Sequence, residues 1–136
     1  MAGLPSELKS AKNFHAHLGP YLIVGLKMGK VLTRDLGHSP FSFSLISYTG
    51  TRPPLSCIVD GLQLSTHCTV GNGGISIHVE GEAKVEAQMG KRRLLLSLRE
   101  EIEKEIKVNC TSENMEEWAL RIWKLSPEEM FDREEH

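Results

Sequence analysis

The sequence predicts an α+β fold, an antiparallel sheet with packed helices, formed by residues 1–136 as a single compact domain. Three observations lead there. Apolar residues recur at helical period after Pro20, several later stretches alternate apolar and polar residues as half-buried strands do, and no linker or internal repeat divides the chain. At 136 residues the chain is long enough to bury a real core.

Residues 4–13 read as a short leading helix with Ser6 as its cap. The segment Phe14-His15-Ala16-His17-Leu18-Gly19-Pro20 then ends in a glycine–proline break. Pro20 suits the first turn of a helix, where a missing N–H costs nothing, and Leu22, Leu26 and Leu32 carry that helix to residue 36, with Gly37 as its stop. Gly25 and Gly29 lie four apart, so one face of this helix admits a close neighbour. Phe41, Phe43 and Leu45 alternate with serines and predict a strand over 41–48. Residues 49–55, with Gly50, Pro53 and Pro54, form a loop, and residues 56–64 form a short apolar helix carrying Asp60 and Gln63.

Gly71-Asn72-Gly73-Gly74 is a turn leading into further strands, built on Ile75, Ile77 and Val79, on Ala83, Val85 and Ala87, and on residues 93–98. It lacks the strand–loop–helix spacing of a phosphate loop. From about residue 96 to 107 the pattern turns helical and charged. A further helix, capped by Thr111 or Ser112, carries Met115, Trp118, Ala119 and Ile122 on one stripe. Ser126-Pro127-Glu128-Glu129 is a capping-box start for a last helix, after which the charged residues are expected to fray.

Composition excludes several classes. Net charge is −2 with both signs interspersed, so there is no basic face for nucleic acid; Lys91, Arg92 and Arg93 are too few to make one. No apolar run approaches a membrane span and no secretory signal is visible, which predicts a cytoplasmic protein without a membrane partner. Cys57, Cys68 and Cys110 are then expected to be thiols rather than a disulfide framework.

Side chains able to bind metal gather in two segments. His15 and His17 stand just before a proline-started helix, whose positive end favours neutral imidazole. Cys57 and Cys68 are separated by ten residues, with His67 beside the second. Thiolate and imidazole together suit zinc, or iron and nickel. Each feature also has a plainer reading: Cys57 beside Ile58 and Val59 as a small core residue, Asp60 and Gln63 as polar groups facing solvent instead of groups that orient an imidazole.

The same segments carry a resemblance. Phe14-His15-Ala16-His17-Leu18-Gly19-Pro20 followed by Gly25, the run Cys57-Ile58-Val59-Asp60-Gly61-Leu62-Gln63, and Thr66-His67-Cys68-Thr69-Val70-Gly71-Asn72 resemble motifs of the formylmethanofuran dehydrogenase E-subunit family. The ending Leu125-Ser126-Pro127-Glu128-Glu129-Met130-Phe131 is similar to the close of its core domain. The resemblance implies a site at His15, His17, Cys57 and Cys68 holding one transition-metal ion, zinc before iron or nickel. It also implies a homodimer and a role accessory to a molybdenum or tungsten oxidoreductase, with that enzyme's other chains as partners. Some members carry a C-terminal zinc ribbon; this sequence ends before such a module, so the expected metal belongs to the core domain. Two positions depart from the pattern: Gly19 stands where a cysteine is frequent, and His67 where a glycine is, offering a replacement nitrogen ligand. Two other readings use the same residues, a metal-free thiol enzyme built on Cys57 or Cys68 and a non-catalytic subunit that binds a partner.

Overall fold

Pro20–Leu36 is the organising element. Leu22, Ile23, Val24, Met28 and Leu32 are wholly buried, and apolar residues occupy most of its circumference, as expected of a helix with neighbours on several sides. Each such side chain contributes about 1.5–3 kcal/mol by leaving water. In the computed structural model, which describes residues 3–136, this helix is α2. It follows α1 (Ser6–His15) and precedes β1 (Ser44–Ser47), α3 (Cys57–Ser65), β2 (Ile75–Ile77), β3 (Lys84–Met89) and β4 (Arg92–Leu98). Then come α4 (Glu100–Asn109), α5 (Met115–Trp123), α6 (Pro127–Met130) and β5 (Phe131–Glu135).

The five strands form one sheet in the order β2-β1-β3-β4-β5. The β1–β3, β3–β4 and β4–β5 pairs are antiparallel. The β1–β2 pair is parallel, with Leu45 opposite Ile75. The fold is therefore α+β as expected, and the antiparallel sheet carries one parallel edge. A parallel pair needs a long crossover, and α3 lies on the one between β1 and β2. Leu45, Val85, Ala87, Leu94 and Leu96 line one face of the sheet and join the same buried cluster as the α2 residues.

Several local expectations change. Phe41 is 79% exposed with φ of 64°, so the first strand begins only at Ser44. Ser6 is the first residue of α1 and makes no capping bond; Pro5 precedes it. Neither Thr111 nor Ser112 caps α5; Asn114 stands before it, and its Oδ1 accepts the Thr111 N–H at 2.6 Å. The residues expected to fray are β5, which pairs with β4 from Phe131 to Glu135. The charged helix begins at Glu100, because residues 96–98 complete β4.

The capping box does form. Ser126 Oγ accepts the Glu129 N–H at 3.2 Å, and Glu129 Oε1 accepts the Ser126 N–H at 3.0 Å. α6 delivers the chain to β5, so Ser126→Ala is expected to lower stability by about 1 kcal/mol, read as the midpoint of denaturant unfolding. No helix among the described residues is long and apolar enough to cross a membrane.

Candidate metal centre

Two helix ends build the site. α1 stops at His15 because Ala16 takes the left-handed conformation, φ 77°, and its N–H closes on the Lys12 carbonyl. For a residue with a Cβ this conformation costs roughly 1–2 kcal/mol. The reversal places His15 and His17 together, with ring centroids 4.6 Å apart and planes tilted by 39°. From the other side Cys57 enters as the first residue of α3, largely buried. A ligand atom from each of His15, His17 and Cys57 lies within 4.8 Å of the other two.

The crossing of α2 and α3 fixes this approach. A Cβ on Gly25 would lie 2.9 Å from Gly61 Cα, and one on Gly61 would lie 2.6 Å from the Leu26 nitrogen. Ser65, at the end of α3, donates to the Gly61 carbonyl at 2.7 Å and lies against Gly29. The close neighbour expected at the Gly25 and Gly29 face is thus α3.

A hydrogen-bonded chain aims His15. Its Nδ1–H donates to Asp60 Oδ2 at 2.5 Å. Gln63 Nε2 donates to Asp60 Oδ1 at 3.2 Å, and Gln63 Oε1 accepts the Val70 N–H at 2.9 Å. Asp60 and Gln63 therefore orient the imidazole; they are not idle surface groups. A carboxylate can only accept, so in the neutral ring the proton sits on Nδ1 and the Nε2 lone pair is left free. Nε2 is buried and has no hydrogen-bond partner among the described residues. An orphaned buried nitrogen of this kind is unfavourable unless something binds it.

The donor set fits a transition metal. A tetrahedral zinc ion with bonds of about 2.0–2.3 Å spaces its donors about 3.5 Å apart, so an inward shift of about an ångström would suffice. His17 is exposed and free to make that shift. Asp60→Asn keeps an acceptor for Nδ1 but removes its charge. Metal affinity is expected to fall about tenfold or more, measured by chelator competition, with the fold unchanged. An unaltered affinity would separate Asp60 from the site.

The fourth sequence candidate lies elsewhere. Cys68 is 3% exposed and donates its thiol proton to the Phe43 carbonyl at 3.2 Å, beneath the turn at Gly74. Burial pushes its thiol pKa up, and it is not in the His15, His17 and Cys57 group. His67 is exposed and also outside that group. Burial, and then the nearby Asp60 carboxylate, push the Cys57 thiol up as well.

Comparison with known proteins places this geometry in a family. The family model described as FmdE, molybdenum formylmethanofuran dehydrogenase operon, matches residues 14–132. The chain belongs to the FmdE family. The match begins just before His15, so both halves of the candidate centre fall inside the FmdE region. Among solved structures, a tungsten formylmethanofuran dehydrogenase FmdE-like protein from Syntrophus aciditrophicus has a TM-score of 0.73. Identity is 20%, over 95% of this chain and 69% of that one, which makes the likeness one of fold. The chain is also 25% identical over 113 residues to a probable S-adenosyl-L-methionine-binding protein of Archaeoglobus fulgidus. That match takes in 82% of this chain and spans 28% of the relative's length.

Proposed function

We propose that this FmdE chain is a transition-metal-binding protein, accessory to a molybdenum or tungsten oxidoreductase, that holds one ion through His15, His17 and Cys57. The observation that carries the reading is the buried, unpartnered Nε2 of His15, on a ring fixed by the Asp60 and Gln63 chain and grouped with His17 and Cys57. Zinc is the first choice, with iron and nickel served by the same nitrogen and sulfur donors. In this role the chain acts as a cytoplasmic homodimer that meets a larger oxidoreductase chain. Bound there, an ion with three protein ligands supplies Lewis-acid chemistry at its open position. The S-adenosylmethionine of the Archaeoglobus protein's name is not carried over, since most of that protein lies outside the match.

The chain's own groups divide the work. Asp60 orients His15 through Nδ1, Gln63 fixes Asp60, and the first residue of α3 presents the Cys57 sulfur, whose proton a bound ion would displace. Without metal the same thiol is a poor nucleophile, because burial and Asp60 hold its proton on. That weighs against a metal-free thiol enzyme.

Elemental analysis of untagged protein, with thiol titration before and after chelator, tests the reading. About one metal ion per chain, with Cys57 masked until chelator is added, is the expected result. No metal, no uptake on reconstitution and an unmasked Cys57 would overturn it.

A further inference from the structure

Met115 lies against Gly19, close to the histidine side of the candidate centre, and lines a cavity that Cys57 also lines. A Cβ placed on Gly19, two residues beyond His17, would lie 3.1 Å from Met115 Sδ, 3.2 Å from its Cγ and 3.9 Å from His17 Cδ2. The methionine thus fills the space that residue 19 leaves by having no side chain. It also shares with Cys57, Tyr21 and Cys110 the wall of a largely apolar cavity of about 540 Å³.

Its backbone is held in place independently. Met115 opens α5, which packs on α2. Glu116, the next residue, takes Lys12 of α1 at 3.3 Å, one turn before His15. Asn114 Oδ1 accepts the Thr111 N–H, and Asn114 Nδ2 donates to the Asn109 carbonyl at 2.9 Å, which sets the loop leading into α5. A thioether on three rotatable bonds is therefore anchored at its root and reaches Gly19, two residues beyond His17, with its sulfur.

We propose that Met115 is a soft, detachable fourth donor, so that the site closes around copper(I) and stays open on zinc. The inference rests on the metal-binding reading above. Two imidazoles, one thiolate and one weak thioether form the donor set that copper accepts, and thioethers prefer copper(I) to zinc. On zinc the thioether yields to water or to a ligand entering from the cavity. The residue would then set which ion occupies the centre and whether its fourth position is available.

Metal-free wild type, Met115→Leu and Cys57→Ala are titrated anaerobically with copper(I), and separately with zinc, against chromophoric chelators. Leucine nearly conserves volume, and circular dichroism checks the fold. Met115→Leu is expected to lose about tenfold or more in copper(I) affinity and less than about twofold for zinc. Unchanged copper(I) affinity, or equal losses for both ions, would overturn the thioether's role while leaving the site's reading intact. Wild type that binds neither ion, or Cys57→Ala that binds both as wild type does, removes the metal-binding reading and the inference with it. A second variant, Met115→Ala with Gly19→Cys, places a thiolate in the same space. It is expected to bind both ions more tightly than Met115→Ala alone, and no gain would mean that this space does not face the ion.

Discussion

Cys57→Ala is expected to leave a folded chain that no longer holds a metal ion tightly. Cys57 is the single sulfur donor of the group formed with His15 and His17, and alanine removes its sulfur without adding bulk. Substituting groups that merely support a ligand costs about 10–100-fold in affinity, so loss of the sulfur should exceed about a hundredfold. The fold should persist, because the core runs through α2, α3 and the sheet, and Cys57 occupies only its margin. His17→Ala should behave in the same way. Chelator competition measures the affinity, and circular dichroism with thermal unfolding measures the fold. Full metal stoichiometry in either variant at micromolar protein would remove that residue from the site. Unfolding on metal removal would make the ion structural instead.

The second large effect falls on stability. Gly61→Ala would set a Cβ 2.6 Å from the Leu26 nitrogen and 2.7 Å from the Gly25 carbonyl carbon, with the Leu22 oxygen closer still. All three are backbone atoms of the most buried helix, so relief requires α2 and α3 to separate. A loss of about 3 kcal/mol or more is expected, or no soluble protein at all. Gly71→Ala is the control: the nearest atom to its Cβ is Thr69 Oγ1 at 3.8 Å, which is ordinary contact. Denaturant midpoints that coincide for Gly61→Ala and wild type would show that the helices do not touch there.

The parts of the fold readable in advance are those with local punctuation. Pro20 and Gly37 bound α2, and Ser126, Pro127 and Glu129 start α6, because each acts within a turn of its own backbone. β5 escaped the reading because Phe131 is the sole apolar residue among Phe131–Glu135; the strand exists through its ladder with β4. The parallel pairing of β1 with β2 escaped it because alternation within a strand says nothing about a neighbour's direction.

The site divides along the same line. Cys57 stands near the helix start that the sequence marks, His15 ends a helix that runs past the expected residue 13, and His17 lies in the break before Pro20; the three converge. Asp60 and Gln63 were visible as a pair spaced by three on one short helix, and that spacing lets Gln63 bond Asp60. Cys68 shares a motif-like stretch with Cys57, yet it lies past the end of α3, and no count of residues shows that its thiol turns to Phe43. Met115 had no signal beyond its place on an apolar stripe, because it comes to Gly19 from 96 residues away in the chain.

The glycine contact between α2 and α3 also bears on how costly capture of an ion is. The spacing between the histidine segment and Cys57 is set by main chain against main chain, which leaves little freedom to surrender when an ion arrives. Of the three donors, His15 is pinned by Asp60 and Cys57 by its helix, so His17 bears most of the ordering entropy. Such a centre spends its binding energy on affinity rather than on assembling itself. An ion bound there as proposed would be released and reloaded without the chain passing through an unfolded state.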